Sequence, residues 1–99
     1  MSELRVVATI PAKSGSEDDV RSALTTLAEA SRSEDGCVSY ELFESAAAPG
    51  TFVTIETWRG QEELDAHMQS PHLQAALAAA GPLLDGAPAI HPLRTLESE

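Results

Sequence analysis

The sequence predicts an α+β domain in which four antiparallel strands carry two helices on one face, in the order β-α-β-β-α-β. Three observations predict it. Residues 4–10 alternate in burial preference and are rich in β-branched side chains, as a half-buried strand is. Val20, Leu24, Leu27 and Ala28 then recur at helical spacing. Two further alternating runs, Cys37–Glu44 and Thr51–Trp58, are separated by a short link with Pro49-Gly50 as its turn signal, so they pair as an antiparallel hairpin.

The first strand puts Leu4, Val6, Ala8 and Ile10 on one face and Arg5, Val7 and Thr9 on the other. Residues 11–15 end it. Ser16 is placed to cap a helix over 17–32, with Asp19 three residues on and acids filling the electropositive first turn. Glu34-Asp35-Gly36 closes that helix. In the second strand Val38, Tyr40 and Leu42 face one way, and Cys37, Ser39, Glu41 and Phe43 the other. The third strand, Thr51–Trp58, buries either Phe52 or Val53 depending on its parity.

Arg59-Gly60 turns the chain into a helix over 61–68, with Leu64 and Met68 on one face. Ser70-Pro71 reads as a cap followed by proline at a first helical position. A second helical piece then covers 71–80, with Leu73, Ala76, Leu77 and Ala80 inward. Gly81-Pro82 breaks it, and 83–88 form a loop or short helical turn. The last strand covers 89–96, at a sheet edge or bulge because of Pro92, and 97–99 form a solvated tail. This is the ferredoxin-like split βαβ arrangement. The apolar residues left on the sheet's other face suit packing against a second subunit.

The chain has 99 residues, one small domain over 1–99. Its formal net charge of −10 comes from acids spread along the chain, without the clustered cations that nucleic acid or an anionic membrane would need. The single cysteine, Cys37, excludes an internal disulfide. No run approaches a membrane span, and the start of the chain lacks the basic and apolar regions of a secretion signal, so a cytoplasmic protein is expected.

Residues 51–72 hold the functional candidates: the only tryptophan, Trp58, and two of three histidines, His67 and His72. Trp58 either presents its flat face and indole N–H to an aromatic substrate or fills the core of an aromatic-poor domain. His67 sits at the edge of the buried stripe. It is suited to take a proton from a phenol or hydroquinone, or it is a half-buried histidine bonded to a backbone carbonyl or to Glu56. Glu56 either orients such a histidine or makes an inter-strand or dimer contact. His72 lines the same pocket or merely occupies the first turn of the second helical piece. Tyr40 belongs to the core, with a hydroxyl in reach of a ligand. His67, His72 and His91 form no recognisable metal site, since no carboxylate or cysteine pattern completes them. No phosphate loop or dinucleotide fingerprint is present.

Gly36-Cys37-Val38-Ser39-Tyr40-Glu41-Leu42, the strand Thr51–Trp58, and the helical stretch from Glu63-Leu64-Asp65-Ala66-His67 through Ser70-Pro71-His72-Leu73 together resemble the antibiotic biosynthesis monooxygenase (ABM) domain, over nearly the whole chain. The resemblance implies a homodimeric α+β barrel, with sheets back to back and a pocket between each sheet and its helices. It implies oxidation of phenolic, anthrone or quinol-type aromatics by O2 with no flavin, haem or metal cofactor. His67 and Trp58 would be catalytic, and Tyr40, Glu56 and His72 would bind substrate. Haem degradation, known in a branch of the family, relies on an asparagine in the first strand and a histidine late in the second helix. The stretch LRVVATI holds no Asn and residues 74–84 hold no His. Two other readings compete: a dimeric ligand-binding or stress-associated module without turnover, and an isomerase or lyase using His67 and His72 as acid and base.

Overall fold

A computed structural model describes residues 3–97, so the last two residues of the expected tail, and the first two of the chain, lie outside the described residues. The elements run β1 (Leu4–Pro11), α1 (Glu17–Arg32), β2 (Cys37–Glu44), β3 (Thr51–Trp58), α2 (Gln61–Met68), α3 (Pro71–Ala80), a 3₁₀ turn (Gly81–Leu83) and β4 (Ala89–Pro92). The sheet order is β2-β3-β1-β4, all neighbours antiparallel. This is the ferredoxin-like α+β fold expected from the sequence, with the second helix divided into α2 and α3.

Strand β1 pairs with β3 along its whole length, from Leu4↔Trp58 to Pro11↔Thr51. That register settles the parity of β3. Phe52, Thr54, Glu56 and Trp58 point inward and are buried, while Val53, Ile55 and Thr57 face the other side. Val6 and Phe52 of the sheet and Val20 of α1 are almost completely buried between sheet and helices. Each such burial stabilises by roughly 1.5–3 kcal/mol relative to exposure. The opposite face keeps Val7 and Val53 half-buried and leaves Phe43 and Ile55 exposed. None of the helices among the described residues is long and apolar enough to cross a membrane.

Four local expectations are corrected. A bulge between Cys37 and Ser39 lets Val38 leave the inner face, where it was expected beside Tyr40 and Leu42; it is 49% exposed. Leu77 is 43% exposed, because the inward stripe of α3 is Leu73, Ala76 and Ala80 and Leu77 stands about 100° round from Ala76. Strand β4 stops at Pro92 instead of running to 96: Pro92 pairs with Val6, and β1 begins only two residues before that. Ser16 occupies the N-cap position of α1 without a side-chain cap bond; Glu17 Oε1 instead accepts from the Gly15 N–H at 2.9 Å.

The second cap forms as expected. Ser70 Oγ accepts from the Leu73 N–H at 3.2 Å, with Pro71 at the first helical position, and donates to the His67 carbonyl at 2.7 Å. One hydroxyl thus ties the end of α2 to the start of α3 and holds the His67 and His72 segments in a fixed relation.

Candidate functional site

Between the inner sheet face and the helices lies an apolar cavity of about 70 Å³. Ala8, Ile10 and Ile90 line it from the sheet, and Leu27, Leu64 and Leu73 from the helices. Among the described residues, four polar side chains reach it: Tyr40, Thr54, Glu56 and His67. Tyr40 and Glu56 are direct cross-strand partners, which places both on the inner face.

Glu56 is 4% exposed and is held by two neighbours on its own strand. Thr54 Oγ1 donates to Oε2 at 2.7 Å and Trp58 Nε1 donates to Oε1 at 2.9 Å. The i, i+2 spacing of a strand makes this possible, because it puts Thr54, Glu56 and Trp58 on one face. Burial, followed by the negative charge of Glu56, pushes the Tyr40 hydroxyl well above the usual phenol value. The hydroxyl therefore keeps its proton and can act as a donor.

His67 is fully buried, not at the edge of the stripe, and its partner is Glu34 instead of Glu56. Glu34 Oε2 lies 2.7 Å from His67 Nδ1 and 2.6 Å from His72 Nε2. An ionised carboxylate only accepts, so both ring nitrogens are donors in this arrangement. In neutral His67 the proton then sits on Nδ1 and leaves a lone pair on Nε2. The ring of His67 lies 4.5 Å from that of Trp58 and 5.8 Å from that of Tyr40, tilted to both.

Glu34 reaches this position through the turn after α1. The Cys37 N–H donates to the Glu34 carbonyl at 3.0 Å, and the Arg59 N–H to the Gly36 carbonyl at 2.9 Å. The turn presses against α2 so closely that a Cβ on Gly36 would stand 2.2 Å from Glu63 Cγ and 2.4 Å from Glu63 Cβ. Only glycine permits that approach, and the approach brings Glu34 to His67. Arg32 Nε, donating to the Tyr40 carbonyl at 2.9 Å, ties the end of α1 to β2.

Of the residues singled out in the sequence, Tyr40, Glu56 and His67 line the cavity. Trp58 and His72 do not: the Trp58 ring lies against that of His67, with centroids 4.5 Å apart, and His72 is joined to the site through Glu34 Oε2. Trp58 is completely buried and its indole N–H is spent on Glu56, so it supports the site from behind. Two lining or supporting residues escaped the sequence reading. Thr54 would have followed from the parity of β3. Glu34 carries no signal, since it is one of 16 acids spread along the chain.

The missing carboxylate for a metal site is also supplied by Glu34: its carboxylate oxygen and one nitrogen each of His67 and His72 lie within 4.8 Å of one another. His91 takes no part; it pairs with Val7 on the opposite face of the sheet. Cys37 is half-buried, and burial, followed by the charge of Glu34, pushes its thiol up, against a nucleophilic role.

Comparison with known proteins supports the fold and bounds the function. The family described as "Antibiotic biosynthesis monooxygenase" matches residues 4–79. The chain is 42% identical over 83 residues to "Putative monooxygenase Rv0793" of Mycobacterium tuberculosis, covering 80% of this chain and 81% of that protein. The solved structure of Rv0793 superposes with a TM-score of 0.88 at 34% identity and covers 98% of each chain. "Putative monooxygenase YcnE" of Bacillus subtilis is 31% identical over 75 residues, 76% of this chain and 79% of its own length. The structure of PA3566 from Pseudomonas aeruginosa gives a TM-score of 0.89 at 29% identity, over 98% of this chain and 97% of that one. On the sequence match, the shared architecture and the sheet-to-helix cavity, this chain belongs to the antibiotic biosynthesis monooxygenase family.

Proposed function

We propose that the protein is a cofactor-independent monooxygenase acting on a phenolic, anthrone or quinol-type aromatic. One observation carries this reading: His67, oriented by Glu34 through Nδ1, lines a cavity that is otherwise almost wholly apolar. Such a cavity desolvates an aromatic ring, and a lone-paired Nε2 is a general base for its hydroxyl.

For a simple phenol the overall change is ArOH plus O2 to a quinone plus water. His67 takes the hydroxyl proton, and the phenolate passes one electron to O2. The two radicals join at a ring carbon, and the peroxide so formed receives the proton back from His67. Loss of water, using the hydrogen of that ring carbon, leaves the second carbonyl. The substrate supplies all the electrons. With a quinol, electron transfer without recombination ends in quinone and hydrogen peroxide. The protonated Tyr40 hydroxyl and the buried Glu56 orient the ring.

The cavity, about 70 Å³ in volume, is below the ~150 Å³ that holds a benzene ring. Leu77 and Ile90 line the cavity and are both exposed, so they stand where it meets solvent, and a ring larger than the cavity must push its walls apart. One-ring substrates therefore suit it better than fused anthrones. The isomerase alternative needed His67 and His72 in one pocket, and only His67 lines this one. Subunits pair through the sheet face bearing Val53 and Ile55 as a homodimer, in the cytoplasm, where the unpaired Cys37 stays reduced.

The test is O2 uptake by metal-stripped, flavin-free protein against a panel of substituted phenols, quinols and anthrones. Uptake above autoxidation that disappears in folded His67→Ala supports the reading. No uptake by folded protein across the panel overturns it in favour of a binding module without turnover.

A further inference from the structure

Glu34, His67 and His72 come from three separate segments: the turn after α1, the last turn of α2 and the first turn of α3. Their donor atoms meet at one point, Glu34 Oε2, at 2.7 and 2.6 Å. We propose that these three side chains bind a borderline divalent transition cation of the Zn²⁺ class, at a site beside the substrate cavity and not within it.

The donor set argues for that class of cation. Two imidazoles and one carboxylate suit Zn²⁺ and its neighbours in the first transition row, whereas calcium and magnesium take oxygen ligands. Three protein ligands with the fourth position left to water is a familiar zinc arrangement. Tetrahedral bonds of ~2.0–2.1 Å place donors ~3.3 Å apart. The donors here lie within 4.8 Å of one another, with both nitrogens 2.6–2.7 Å from Glu34 Oε2, so small shifts of the two rings and the carboxylate bring them toward that spacing. A way in exists, because the His72 side chain is 27% exposed and Glu34's is 16% exposed, while His67 forms the floor at 3%. The formal net charge of −10 raises the local concentration of cations around the chain.

Position decides the role. Glu34 and His72 do not line the apolar cavity, so a cation held by them does not meet a ring bound there. It reaches the cavity only through His67. Ligation at Nδ1 forces the proton of the neutral ring onto Nε2, so the nitrogen left for the substrate becomes a donor and ceases to be a base. The cation is then an inhibitor. This consequence rests on the proposed role of His67 as base; the binding itself does not.

The experiment is calorimetric titration of the chelator-stripped full chain with Zn²⁺ near neutral pH, repeated with Co²⁺ to record its visible absorption. Wild type is expected to take about one ion per chain with the spectrum of a low-coordinate, imidazole-ligated site. Glu34→Gln and His72→Ala should each weaken binding by at least ~100-fold, the upper end of what loss of a mere outer partner costs. His91→Ala should leave it unchanged. His72→Gln serves as the second variant, since its amide keeps a hydrogen bond to Glu34 but is a poor ligand. Absence of binding by wild type overturns the proposal, and so does binding that survives in Glu34→Gln and His72→Gln. Zn²⁺ binding with no effect on O2 uptake keeps the site and overturns the inhibitory role.

Discussion

Glu34 and His67, far apart in the chain, are joined at 2.7 Å through Oε2 and Nδ1, and of the two only His67 lines the cavity. The pair has the logic of a carboxylate that orients a catalytic histidine and sets its tautomer. His67→Ala is expected to lower kcat by ~10²–10⁴-fold, the usual contribution of a positioned general base. Glu34→Gln should lower it by about 10–100-fold, the scale on which an orienting partner acts on a histidine, with KM little changed. Steady-state O2 uptake measured on chelator-treated protein checks both. A Glu34→Gln variant that raises KM and leaves kcat intact would show Glu34 to be a substrate contact instead.

Trp58 is expected to matter more for stability than for substrate affinity. Trp58→Phe removes the N–H that Glu56 Oε1 accepts at 2.9 Å and leaves a buried carboxyl with one partner fewer. The loss should be about 1–3 kcal/mol. Urea unfolding would show it as a lower midpoint at unchanged slope. A rise in KM without loss of stability would place the indole in contact with substrate.

Gly36→Ala is expected to destabilise by ~1–3 kcal/mol, since the new methyl overlaps Glu63. Glu63→Ala should not rescue it, because the Glu63 Cβ at 2.4 Å remains. Glu63→Gly should relieve part of the loss, beyond its own helix penalty. A double-mutant cycle on thermal unfolding measures that coupling. The same substitution should reduce kcat, because the turn that moves is the one carrying Glu34.

Ile55→Asp tests the outer sheet face. Ile55 stands there beside Val53 and across from Glu41, exposed in the isolated chain. A buried, unpaired carboxylate at a subunit contact is strongly unfavourable. Light scattering should report a dimer for wild type and a monomer for the variant. Equal masses would move the subunit contact elsewhere.

The hairpin between β2 and β3 should loosen in acid. The backbone N–H of Gly50, then the Arg21 guanidinium, holds the Glu44 carboxyl below the usual carboxylate value. A depressed folded pKa contributes stability that is complete above the unfolded value and is lost as pH falls through the folded one. Its share of stability should therefore fade from roughly pH 5 downward. Glu44→Gln should lower Tm at neutral pH and narrow the difference between neutral and acid Tm. An unchanged difference would remove Glu44 from the acid response.

Much of this protein is determined locally. Alternation in residues 4–10 and 51–58, the apolar stripe of α1, and Ser70-Pro71 as a helix start are properties of neighbouring residues. They are legible because each element buries one face at a fixed period, and the order of elements then leaves few ways to close a sheet. The motifs around Tyr40, Trp58 and His67 likewise pointed to the family. Tertiary structure alone decided which strand parity wins, since the pairing of β1 with β3 and not the composition of β3 turned Phe52 inward. It exposed Val38, because the bulge is a relation between two strands. It put Trp58 behind the cavity wall and took Glu56 away from His67 to hold the indole. Above all it chose Glu34: nothing in a chain with 16 acids marks one of them, and only the close approach that Gly36 allows, turn against helix, brings that carboxylate to two histidines more than thirty residues away.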